Sequence, residues 1–95
     1  MAVRHKTYNL TTTPVLLDVI NDTDNHIGMT IIFNTDKLNN ATTMIGDSTV
    51  TGTDFGFHLD ADESITISGH FTYQDQFWAR AKQDTAILHV LVAGA

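Results

Sequence analysis

Residues 27–33 read Ile27-Gly28-Met29-Thr30-Ile31-Ile32-Phe33, and this stretch decides the fold. Ile27, Met29, Ile31 and Phe33 alternate with Gly28, Thr30 and Ile32. Side chains of a strand point to opposite faces in turn, so the spacing gives one apolar face and one mixed face. Ile65 and Ile67 repeat the pattern between Ser64, Thr66 and Ser68. No stretch sustains the three-to-four-residue recurrence that an amphipathic helix requires.

The same reading places strands near 4–9, 14–20, 27–33, 43–51 (broken at Gly46), 55–59, 63–68, 76–81 and 85–92. Their separators are rich in Asn, Asp and Gly, which favour tight turns. Pro14 stands at the start of an apolar run, where a strand tolerates it. A single helical turn near Tyr73–Gln76 also fits. The expected fold is all-β: one domain over 1–95, a small β-sandwich or jelly-roll-like barrel of about eight short antiparallel strands. Residues 1–13 form a basic N-terminal arm or the first strand.

A chain of 95 residues has no cysteine, which excludes disulfides and thiolate metal sites. Self-association is the stabilising device left open to so small a domain. The formal net charge is −6, and Arg4 and Lys6 are two of only five basic residues. The remainder carries three basic against eleven acidic residues, or −8, a body that repels phosphate backbones. No apolar run approaches the roughly 20 residues that span a bilayer. Thr and Asn follow Lys6 where a signal peptide would be apolar, so no signal-dependent secretion is expected. Neither nucleic acid nor membrane is an expected partner. The arm bearing Arg4 and Lys6 is either a solvated strand or a contact for an acidic protein surface.

Two expected strands are apolar on both faces. Ala86, Leu88, Val90 and Val92 oppose Ile87, His89 and Leu91; Val15, Leu17 and Val19 oppose Leu16, Asp18 and Ile20. A strand apolar on both faces lies between two layers. With no helix to cover it, a second subunit is favoured over a packed loop, which makes Ile87, His89, Leu91, Leu16 and Ile20 candidate oligomer-interface residues.

Catalytic and metal-binding patterns are weak. Asp22-Thr23-Asp24-Asn25 opens like a calcium loop, but the sixth position is Ile27 and the twelfth Phe33, where an EF-hand needs Gly and Glu. Asp60-Ala61-Asp62-Glu63 reads as a turn in the same way. His5, His26, His58, His70 and His89 show neither strand nor helix ligand spacing; copies of His89 could meet around a symmetry axis. There is no thiol, no Gly-x-Ser-x-Gly elbow, no glycine-rich phosphate loop and only one Glu. No enzyme activity, metal or cofactor is expected.

Phe71, Tyr73, Phe77 and Trp78 cluster within eight residues. Alternation sends Phe77, Ala79 and Ala81 toward the core and Trp78 and Arg80 outward. An outward Trp beside an Arg suits a protein-interface anchor or a sugar platform. The competing reading makes Trp78 a core residue.

The second half resembles small structural proteins of tailed-bacteriophage virions. The resemblance is carried by Ile45-Gly46-Asp47-Ser48-Thr49-Val50-Thr51, Gly56-Phe57-His58-Leu59 with Asp62-Glu63-Ser64, Phe77-Trp78-Ala79-Arg80-Ala81, and Ala86-Ile87-Leu88-His89-Val90-Leu91. It spans roughly residues 40–92. Asp47 stands where such proteins often have a second glycine, and the segment before Tyr8 has no counterpart. The resemblance implies a non-enzymatic virion protein, most naturally a capsid decoration or cement protein. Its partners would be its own copies, as a trimer by analogy, and the major capsid protein. Arg4, Lys6, Trp78 and Arg80 are then candidate partner-binding residues. A receptor- or carbohydrate-binding module of a phage head or tail fibre is the alternative.

Overall fold

The computed structural model describes residues 2–20, 26–71 and 75–94, with the side chains of Ala2, His26 and Ile27 excepted. Among these residues the chain forms eight strands: β1 (Ala2–Leu10), β2 (Val15–Leu16), β3 (His26–Thr35), β4 (Thr43–Gly46), β5 (Phe57–Leu59), β6 (Ser64–Phe71), β7 (Trp78–Ala81) and β8 (Ala86–Gly94). They build two four-stranded sheets, β1-β8-β3-β6 and β2-β7-β4-β5, in which every pairing is antiparallel. The expected small β-sandwich is the observed fold.

Alternation sets which side of each strand enters the core. Met29, Ile31 and Phe33 of β3 and Ala86, Leu88, Val90 and Val92 of β8 are all at most 2% exposed. They meet Ile45 of β4, Leu59 of β5 and Ala79 and Ala81 of β7 across the layer. The small alanines of β7 leave room for rings from neighbouring strands. Phe33 packs edge-on against Phe57 at 5.6 Å and lies 5.8 Å from Phe77, which meets Phe71 at 5.8 Å.

Two expectations are corrected. The apolar run at 14–20 is not a strand between two layers, since only Val15 and Leu16 pair, with Ala79 and Trp78 of β7. A tight turn follows, in which Ile20 N–H donates to the Leu17 carbonyl. It drops both Leu17 (0% exposed) and Ile20 (1%) into the chain's own core. The run is apolar on two sides because it plugs one side of the sandwich, not because a subunit covers it. The strand expected over 43–51 with a break at Gly46 ends at that break and does not resume as a strand over 47–51. There Asp47 Oδ1 accepts from Thr49 N–H and Val50 N–H donates to the Asp47 carbonyl, turning the chain away.

Glycine is required where β3 passes β8. The β3–β6 register shifts between His26 and Met29, and Gly28 takes a φ of +77° in that bulge. Gly94, at φ +143°, crosses beside it so closely that a Cβ would stand 2.8 Å from Met29 Cα. Gly94→Ala therefore costs about 1–3 kcal/mol in denaturant titration, from backbone strain and collision together. Ile31 fills the core and Thr30 the opposite face. Ile31→Ala is expected to cost about 2–5 kcal/mol and Thr30→Ala well under half of that. Equal effects in the same titration would contradict the assigned faces.

Candidate functional site

The outer face of the sheet β1-β8-β3-β6 is an uncovered surface that spans four strands. The pairings align its side chains in rows that cross all four strands: Val3, Ala93, Thr30, Ser68; His5, Leu91, Ile32, Thr66; and Thr7, His89, Asn34, Ser64. Val3 is 63% and Leu91 37% exposed, and Ile32 and Ile87 are half-buried. A shallow trough of about 210 Å³ runs over β8, lined by His5, Thr7, Ile32, Asn34, His89 and Leu91. Its floor is apolar and its rim polar, the chemistry of a contact surface more than of an enclosed pocket.

His89 is locked into this face. Its Nδ1 lies 3.0 Å from Thr7 Oγ1 and its Nε2 lies 3.3 Å from Asp36 Oδ1. Asp36 also accepts from Leu38 N–H at 3.0 Å, and that bond, followed by His89, holds its carboxyl below the usual carboxylate range. Both ring nitrogens of His89 are thus engaged within the chain, and gathering several copies of His89 about an axis would break these bonds. Next to it, Asn39 reads the backbone of Ile87 from both sides: Nδ2 donates to its carbonyl and Oδ1 accepts from its N–H. The side-chain amide extends the β3–β8 ladder where the strands end.

Arg4 and Lys6 do not reach outward as a basic arm. They lie on the core side of β1, opposite Val92 and Val90, where that edge strand meets the 17–20 turn. Lys6 Nζ sits 3.1 Å from both Asp18 carboxylate oxygens, and Arg4 Nη2 donates to the Ile20 carbonyl at 3.5 Å. Tyr8 Oη donates to Asp18 at 2.7 Å while accepting from Val19 N–H. Burial, then the bond to Asp18, pushes the Tyr8 phenol above its ordinary range. That bond and then Lys6 pull the Asp18 carboxyl down. Arg4 and Lys6, read either as part of a solvated first strand or as a contact for an acidic surface, lie in β1 and form a latch on one side of the sandwich. Sequence reading missed this latch because Tyr8 and Asp18 carry no local pattern that links them.

The remaining candidates are divided between faces. Ile20 is in the core and offers no surface. Leu16 is half-buried on the outer face of the second sheet, paired with Trp78, and there it is separated from Ile87, His89 and Leu91 by the whole sandwich. Trp78 and Arg80 lie on that outer face while Ala79 and Ala81 are 0% exposed, as alternation predicts. Trp78 is half-buried, and Arg80 folds back to donate to the carbonyls of Ala81 and Lys82. Met44, the register partner of Arg80 and His58, is 2% exposed there. Tyr73 of the aromatic cluster and the Asp22–Asn25 cluster lie outside the described residues.

Asp60–Glu63 forms a turn: Glu63 Oε1 accepts from Asp60 N–H, Asp62 has a φ of +60°, and the buried Thr35 hydroxyl bonds the Asp60 carbonyl. Among the described residues no three His, Asp or Glu side chains converge as a metal site. No protein-family model and no curated protein matches the chain.

The latch sets a pH dependence of stability. A folded carboxyl below its ordinary value of 3.8 stabilises fully above that pH and loses the contribution as pH falls through the folded value. A phenol raised above its ordinary 10.0 stabilises below that pH and loses the contribution above it. In melting curves across pH, Asp18→Asn should flatten part of the acid limb, Asp36 and Asp47 supplying the rest with the same sign. Tyr8→Phe should flatten the alkaline limb. Unchanged limbs in both variants would remove the latch from the account.

Proposed function

We propose that the protein is a non-enzymatic structural component of a tailed-bacteriophage virion, a decoration protein that docks on the major capsid shell. The observation that carries this reading is the outer face of β1-β8-β3-β6, an open four-stranded surface bearing Val3, Ile32, Ile87 and Leu91. Leu91 and Ile32 stand side by side on this face with Val3 in the flanking row, and exposed apolar side chains grouped on a small domain favour an interaction site. Their alignment on a four-stranded sheet costs little ordering on binding. Further support comes from the likeness of 45–51, 56–59, 77–81 and 86–91 to phage virion proteins, segments that form β4 and its turn, β5, β7 and β8.

On a capsid the same weak contact recurs at every lattice position, so avidity replaces any single strong anchor. The face needs only shape and a few apolar side chains, and the His89–Thr7 and His89–Asp36 bonds hold its centre in one conformation.

Quantitative mass spectrometry of purified particles is expected to find copies in near-stoichiometric ratio to the major capsid protein. A handful of copies per particle would point to a fibre or neck component instead. Leu91→Asp, which places a carboxylate in the middle of the face, should lower retention on capsids at least tenfold, since an unpaired charge is costly to bury. The variant should fold normally, because Leu91 is already 37% exposed.

A further inference from the structure

The two lateral edges of the first sheet are built differently, and the difference identifies a second contact. At the β1 edge the sandwich is shut: Tyr8 is 6% and Leu10 0% exposed, and Arg4 and Lys6 lie on the core side of the strand, tied to the Ile20 carbonyl and to Asp18 at its exposed rim. Inward-pointing charges on an edge strand are a device that blocks pairing with another chain. At the β6 edge no such guard exists. Ser64-Ile65-Thr66-Ile67-Ser68-Gly69-His70-Phe71 has no Lys, Arg, Asp, Glu or Pro. Ile65, Ile67 and Phe71 on its core side remain half-buried.

The phase of the β6 ladder is set by the bond from Thr35 N–H to the Glu63 carbonyl. Counting from it, Ile65 and Ile67 exchange hydrogen bonds with Phe33 and Ile31, their register partners. Ser64, Thr66 and Ser68 then aim N–H and C=O away from β3. Among the described residues no backbone group bonds to that outward edge.

Residues 64–68 read Ser-Ile-Thr-Ile-Ser, a palindrome centred on Thr66. A two-fold axis makes an antiparallel strand pair with its own copy, so a palindrome is the sequence that such an axis matches residue for residue. We propose that two copies of this chain join edge to edge through β6, with Thr66 facing Thr66 of the second copy across the axis. Ser64 then faces Ser68 and Ile65 faces Ile67. Thr66 is one of the residues whose backbone points outward, as a hydrogen-bonded pair on the axis demands, and about six inter-chain backbone bonds follow. Hydroxyl pairs Thr–Thr and Ser–Ser lie on the outer face, and Ile–Ile pairs extend the core, all favourable cross-strand combinations.

The result is one continuous eight-stranded sheet with two copies of the docking face side by side. A ring of three closed by sheet pairing would instead need β6 to meet β1, the guarded edge, so pairing through β6 favours the two-fold pair over the trimer expected by analogy. The inference does not depend on the virion reading and is tested on the purified protein.

The chain lacks cysteine, so a single introduced thiol reports the register. In T66C the two thiols meet across the axis, at a Cα separation of about 5.5 Å that a disulfide accommodates. Oxidation is expected to give a covalent dimer. S68C is the register control: its two copies stand about 13 Å apart along the strands and should not cross-link. In sedimentation velocity, the wild type should dissociate from dimer to monomer on dilution. Thr66→Lys, at an exposed position, should be monomeric with an unchanged β circular dichroism spectrum, while Val3→Lys on the other edge stays dimeric. A wild-type monomer or trimer, a dimeric Thr66→Lys, or cross-linking of S68C as readily as T66C would each overturn the proposal.

Discussion

The structure rests on a single dry layer between two four-stranded sheets, and Phe33 stands at its centre. That ring is fully buried, with Phe57 and Phe77 of the opposite half against it. A chain of this length has no disulfide and, among the described residues, no helix, so no second layer shares the load. A polar side chain that enters the layer is costly unless its polar atoms are bonded, and Thr43, at 0% exposure, leaves its Oγ1 without a hydrogen-bond partner among the described residues. Thr35, at 1% exposure, instead bonds the Asp60 and Glu63 backbone, and in doing so it joins the turn between β5 and β6 to β3.

A sandwich of two open sheets has four edges, and each must be closed or left for a partner. Here the β1 side is closed by an internal device. The 17–20 turn supplies two apolar plugs, and the Tyr8–Asp18–Lys6 cluster satisfies the polar atoms around them. The Lys6–Asp18 pair is exposed and individually weak, whereas the two Tyr8 hydroxyl bonds are part-buried. Their joint effect is geometric, since they hold the turn over the edge strand. The β6 side carries no comparable closure, and its backbone is left in the conformation that a further strand recognises.

The outer face of the first sheet is organised by long-range contacts more than by its apolar residues. Thr7, Asp36 and Asn39 reach β8 from β1 and from the loop after β3, fixing His89 and the Ile87 backbone. The opposite face is less open: Arg80 turns back onto its own strand's carbonyls, and Met44 lies covered beside it.

The sequence by itself determined the all-β class, six of the eight strands to within a few residues, and the faces of β3, β6, β7 and β8. It did so because side-chain alternation is a property of the local backbone and needs no knowledge of neighbours. Ile31, Ala79 and Ala81 are buried where their spacing puts them. The fate of the 14–20 run was not legible, since an apolar stretch with two oily sides is compatible with a strand between layers and with a turn that plugs a core. Nor was the role of Arg4 and Lys6, whose inward orientation has meaning only once Asp18 and the Ile20 carbonyl stand opposite them. Leu16 and Leu91 fell on opposite sides of the molecule for the same reason. Strand order and edge position arise from which distant segments pair, and only the tertiary structure decides that, because hydrogen-bonded edges are chemically alike until a neighbour occupies them.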